Sequence, residues 1–162
     1  RLNHAVQRLE KQVTQARTMA ISNNREYALQ LLERDPSPSS GDWKTNAGAY
    51  QLLEGNRPVG SSSWTPAALG MGYPEGRVDL ADGPGAAEGI SIESWSPLHG
   101  AEQSSLPDAL IFSPHGHLAN RPEDFQDHYV RVVFRNRAAN PREEQRALLI
   151  DRGGNAVVVL PQ

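Results

Sequence analysis

The sequence predicts an α+β protein, one long amphipathic helix followed by an antiparallel, β-rich head, and three observations carry that reading. Apolar residues at Leu2, Val6, Leu9, Val13, Ala16 and Ala20 recur at intervals of four and three, the period of one helical face. Beyond Asn24 the period falls to two, and a series of short strand patterns runs to the end of the chain. No second helical pattern is interleaved with the strands, so the alternation that a parallel α/β sheet requires is absent.

The helix spans roughly 30 Å. Arg8, Lys11, Gln12, Gln15 and Arg17 fall on its other sides. Leu2 follows Arg1 with no Ser, Thr, Asp or Asn cap before it, so the expectation is a chain cut inside a longer helix. Asn23 and Asn24 suit the helix end, because Asn tolerates the left-handed conformation found there. Tyr27, Leu29 and Leu31 then alternate as a strand, and Ala49 to Glu54 is a second. Segments 35–48 and 55–76, rich in Pro, Gly and Ser, read as long irregular loops. Trp43, Trp64 and Trp95 lie in or beside irregular stretches, where a large ring can pin a loop to the core.

Arg77 to Leu80 and Gly89 to Glu93 read as a hairpin or loop-joined pair. Ala109 to Phe112 is an apolar strand closed by a tight turn through Pro114 and Gly116. Tyr129 to Phe134 puts Tyr129, Arg131 and Val133 on one face and Val130, Val132 and Phe134 on the other. Ala147 to Ile150 and Ala156 to Leu160 flank Asp151-Arg-Gly-Gly-Asn155, a hairpin signal because glycine accepts positive φ. The domain reading is thus residues 1–24 as helix and 25–162 as one head.

Length and composition bound the function. With 162 residues, 38% of them apolar, the chain supports one domain with a real core. Its longest apolar runs fall far short of the roughly 18 residues of a membrane span. The absence of cysteine excludes a disulfide framework and thiolate metal sites. Charge is uneven: residues 1–33 net +2, 34–127 net −8 and 128–162 net +3. An acidic middle repels phosphate, which restricts any nucleic-acid surface to the arginines near the C-terminal end.

Chemistry finds little support. His115 and His117, two apart, could both reach a metal if they shared a strand face, and His128 could join them as the centre of a metal-dependent enzyme. No spacing makes the other acidic residues converge on them. There is no Gly-x-Ser-x-Gly elbow and no glycine-rich phosphate loop. The reading is therefore a non-enzyme with no cofactor and no metal.

Three segments carry a family resemblance. Ala16-Arg-Thr-Met-Ala-Ile-Ser-Asn-Asn24, Leu110-Ile-Phe-Ser-Pro-His-Gly116 and the closing hairpin from Leu148 through Gly154 to Leu160 resemble, in order and spacing, the GspH/FimT group of minor type IV pilins and pseudopilins. The resemblance leaves residues 35–108 uncovered. It implies a two-sheet sandwich on the second half of a pilin-like helix, whose apolar first half anchors the protein in the inner membrane. It further implies leader removal, N-terminal methylation, a periplasmic head, and assembly with other minor pseudopilins and the major pseudopilin, with secreted proteins as possible contacts. Under that resemblance Leu2, Val6, Leu9, Val13, Ala16 and Ala20 are the expected assembly stripe. Members that bind DNA resemble one another in a C-terminal Gly-Arg-x-Arg motif, of which this chain has only Arg152. That places a type II secretion pseudopilin first. A minor type IV pilin whose head binds DNA or a surface, through Arg131, Arg135, Arg137, Arg142 and Arg146, is the alternative.

Overall fold

The computed structural model describes residues 2–32, 49–67, 77–79, 90–95, 101, 106, 108–136 and 144–159. One helix, α1 (Leu2–Asn23), leads into β1 (Tyr27–Leu32). The period change after Asn24 is a true helix end. Asn24 adopts φ 52°, and the amide of Arg25 bonds the Ala20 carbonyl at 3.4 Å, the pattern of a left-handed C-terminal cap.

The remaining strands are β2 (Ala49–Gly55), β3 (Trp64–Pro66), β4 (Arg77–Asp79), β5 (Ile90–Trp95), β6 (Ala109–Phe112), β7 (Tyr129–Asn136), β8 (Glu144–Asp151) and β9 (Ala156–Val159). They form two antiparallel sheets. The first runs β3-β2-β1-β6, with β4 also paired to β2; the second runs β5-β7-β8-β9. Register follows side-chain polarity, with Leu29 opposite both Leu52 and Leu110, and Val132 opposite Leu148.

α1 packs on both sheets. Val6, Leu9, Val13, Ala16 and Ala20 are fully buried among Leu29, Tyr50 and Phe112 of the first sheet and Val132, Phe134 and Ile150 of the second. Gln12 lies with them rather than in solvent. Its Oε1 accepts the Tyr50 hydroxyl, which satisfies two buried polar groups at once. A second cluster of Ala28, Leu53, Ala101, Ala109 and Ile111 covers the opposite face of the first sheet, with Trp64 packed against it. Trp64 thus does pin a loop, whereas Trp43 and the side chain of Trp95 lie outside the described residues.

Two sequence expectations need correction. β4 and β5 are no hairpin: β4 pairs β2 in one sheet and β5 pairs β7 in the other. Each short segment joins the neighbour that offers an open edge, and sequence proximity has no say. Nor is 55–76 irregular throughout, since β3 forms inside it and 56–63 is held by specific bonds. The Glu26 carboxylate accepts the Ser61 amide at 2.8 Å, and Asn56 Oδ1 accepts the amides of Ser62 and Ser63. Side chains replace the ladder that the composition seemed to forbid.

Candidate functional site

The expected assembly stripe is occupied by the head itself. Val6, Leu9, Val13, Ala16 and Ala20 have no exposed area, so the face that the resemblance marked for a partner closes this chain's own core. The side chain of Leu2 lies outside the described residues. What the helix shows outward is Gln7, Lys11, Thr14, Thr18, Ile21 and Ser22. Along this face Thr14 Oγ1 donates to the Glu10 carbonyl and Thr18 Oγ1 to the Thr14 carbonyl at 2.9 Å. Ile21 is 49% exposed.

The two arginines of the set whose side chains are described do not share a face. Arg131 is exposed and sits opposite Leu149 on the outer face of the second sheet. Arg146 sits opposite the fully buried Phe134, and so belongs to the inner face. Register sends the two to opposite sides of the sheet. The side chain of Arg135, and Arg137 and Arg142 altogether, lie outside the described residues.

The histidines are turn residues rather than strand neighbours. Gly116, at φ +87°, lies between them, and its amide bonds the Ser113 carbonyl at 2.9 Å. The imidazole rings of His115 and His117 are 6.0 Å apart. Ser113 Oγ accepts the His115 amide and shares a 3.1 Å bond with His117 Nδ1, so this Ser–His contact closes a local turn. Among the described residues no three His, Asp or Glu side chains converge as a metal would require.

A residue that the spacing assigned to solvent turns out to organise this end of the molecule. Arg17 Nε donates to the Gly116 carbonyl at 2.6 Å, and the same side chain lies against Gly154, where an added Cβ would stand 3.0 Å from Arg17 Cδ. Gly154 takes φ +82°, and its amide bonds the Asp151 carbonyl, which closes the β8–β9 turn. The amide of Leu118 bonds the Arg152 carbonyl at 2.8 Å, joining the two turns directly. Arg17 therefore ties the helix to one turn from each sheet. The three motifs read separately along the chain meet here.

Beside this junction the edge strand β6 is finished by a side chain. Asn120 Oδ1 accepts the Ile111 amide at 2.8 Å and its Nδ2 donates to the Ala109 carbonyl at 2.9 Å, so one amide replaces a missing strand. The same Nδ2 donates to the buried Asp124 carboxylate. An open cleft of about 410 Å³ lies next to it, lined by Glu26, Val59, His117, Asn120, Arg121 and Arg152 among others. The Arg152 guanidinium stacks 4.2 Å from the centre of the Phe125 ring.

Among solved structures, the minor pseudopilin EpsH from the type II secretion system of Vibrio cholerae matches 99% of this chain and 94% of its own, with a TM-score of 0.60 at 10% identity. The fold is that of a minor pseudopilin. The type IV minor pilin FimU of Pseudomonas aeruginosa aligns over 99% of this chain and 88% of its own, with a TM-score of 0.45 at 18% identity. No known family profile and no curated protein matches the sequence. In this minor-pseudopilin fold the helix carries two sheets on one side and leaves its other side open. No helix among the described residues is long and apolar enough to cross a membrane.

Proposed function

We propose that the protein is a minor pseudopilin, a structural and non-enzymatic subunit of the pseudopilus through which a type II secretion system exports folded proteins across the outer membrane. Its partners are other minor pseudopilins and the major pseudopilin near the filament tip, with secreted proteins as further contacts. An apolar helical segment N-terminal to α1 anchors it in the inner membrane before assembly, and the head lies in the periplasm. The observation that carries this reading is a 22-residue helix laid across two antiparallel sheets in the arrangement of EpsH.

The burial pattern supports a specific helix face. With the apolar stripe closed by the head, subunit packing falls to Gln7, Lys11, Thr14, Thr18, Ile21 and Ser22. The Thr14 and Thr18 hydroxyls already bond their own helix, which lowers the cost of removing them from water. The chain has no cysteine, so a single introduced thiol reports one position. Thr14→Cys and Thr18→Cys in the full-length protein are expected to cross-link to pseudopilins bearing a matching thiol. Loss of the gene is expected to strand folded exoproteins in the periplasm. Normal export from the deletion strain overturns the reading, and impaired DNA uptake in that strain moves the protein to the pilus alternative.

A further inference from the structure

The cleft beside Asn120 is lined by two guanidinium-bearing residues, Arg121 and Arg152. Arg121 Nε is buried and makes no hydrogen bond, and the other end of its guanidinium is only 3.8 Å from the exposed Glu123 carboxylate. Arg152, His115 and His117 stand on the same walls, and Pro58, Val59, Ala101, Ala119 and Pro122 supply an apolar bank between them. Val59 is 58% exposed, an uncovered side chain at the rim. Cationic and imidazole donors set into an apolar bank match a carboxylate flanked by apolar side chains.

We propose that this cleft binds an acidic peptide segment of a protein partner, with a carboxylate on Arg121 and the neighbouring side chains along Val59 and Pro122. Charge complementarity selects that occupant. A carboxylate meets the guanidinium in a planar, two-point geometry, and it exchanges with the loosely held Glu123. A nucleic-acid strand would bring a row of phosphates past Glu123 and the cleft-lining Glu26, which the single charge of a side chain avoids. The volume, about 410 Å³, is in the range of sites for small ligands and short peptide stretches. The proposal holds whether or not the protein joins a pseudopilus.

The test is an NMR titration of the whole chain, helix included, with an end-capped leucine-rich hexapeptide bearing one glutamate, against its equally capped glutamine counterpart. The glutamate peptide is expected to shift the Arg121 Nε–H and the amides of His117 and Ala119, and to bind about tenfold or more tightly than its counterpart. Arg121→Gln and Val59→Asp are each expected to lose about tenfold in affinity. Val59→Asp alters an exposed position and is expected to unfold at the same temperature as the parent, which separates binding from folding. Equal binding of the two peptides, or unchanged affinity in Val59→Asp, overturns the proposal. So does inorganic phosphate producing the same shifts at the same concentration, which would make this a simple anion site.

Discussion

The two sheets share one helix but differ in what lies behind them. In the first sheet β6 is apolar on both sides: Leu110 and Phe112 face the helix, Ala109 and Ile111 belong to the second cluster, and all four are buried. In the second sheet the inner face is apolar at Val130, Val132, Phe134, Leu148 and Ile150, with Arg146 on the same face. On its outer face Val133 and Ala147 are covered, while Tyr129, Arg131 and Val157 are open to solvent. A strand covered on both faces reads as a continuous apolar run, and one covered on a single face alternates. The first sheet therefore holds the stability, and the second offers surface that can change.

The largest test of that difference compares one residue from each sheet. Phe112→Ala empties a fully buried site against the helix and is expected to cost about 3–5 kcal/mol in urea unfolding. Val157→Ala, at a site 54% exposed, is expected to change stability by less than about 0.5 kcal/mol. Comparable losses would mean that the second sheet's outer face is a covered core in solution.

A smaller effect is expected at the edge of the first sheet. Asn120→Leu leaves the Ile111 amide and the Ala109 carbonyl without their partner and takes a donor from Asp124, for an expected loss of about 2–3 kcal/mol. Hydrogen exchange at the Ile111 amide checks the mechanism. It is expected to quicken beyond the global change, because the opening is local. Unchanged protection there would show that Asn120 does not close this edge.

How much of this was legible follows from the range of each interaction. The helix, its end at Asn24 and the strands β1, β6, β7, β8 and β9 are written in local period and turn chemistry, and the chain shows them directly. The sheet that β4 and β5 join is decided by open edges far away in sequence, which local pattern does not encode. Gln12 and Arg17 look like solvent residues on a helical wheel. Their partners, Tyr50 and Gly116, are 38 and 99 positions distant. The apolar stripe, expected to meet neighbouring subunits, closes this chain's own core, because periodicity marks an apolar face and is silent on whether its cover is the same chain or a neighbour. Arg146 is misread when arginines are counted by proximity, because strand parity places it opposite Phe134. The cleft had no local signal, since Glu26, Val59, Arg121 and Arg152 come from four separate segments.

The junction that joins the sheets is open to a finer test. Gly154→Ala places a Cβ at φ +82° and 3.0 Å from Arg17 Cδ, for an expected loss of about 1–3 kcal/mol. Gly153→Ala in the same turn meets only the ends of Asn155 and Asp151 and is expected to stay within about 0.5 kcal/mol. In an Arg17→Ala background the part of the Gly154 penalty due to Arg17 should vanish, while the 3.1 Å approach to the Gly116 carbonyl and the backbone part remain. A double-mutant cycle is then expected to show a coupling of about 0.5–1 kcal/mol. Strict additivity would mean that Arg17 does not lie in this turn in solution.

The smallest expected effect tests the entry to the first sheet through pH. Tyr27 is buried, and its hydroxyl accepts from Asn23 Nδ2 at 2.7 Å and donates to Glu54 Oε1 at 3.1 Å. Burial is the main cause that pushes its phenol above the ordinary 10.0; the Asn23 amide acts against it, and the Glu54 carboxylate adds to it. A proton held more tightly in the folded chain gives stability that is fully present below pH 10.0 and is lost as pH rises through the raised value. Tyr27→Phe removes that proton from both states. Thermal unfolding is therefore expected to fall more steeply above pH 10.0 in the parent than in the variant, and to run parallel below it. Parallel curves throughout would mean that Tyr27 keeps an ordinary phenol, and that the helix-to-sheet turn around Asn23 and Glu54 admits water.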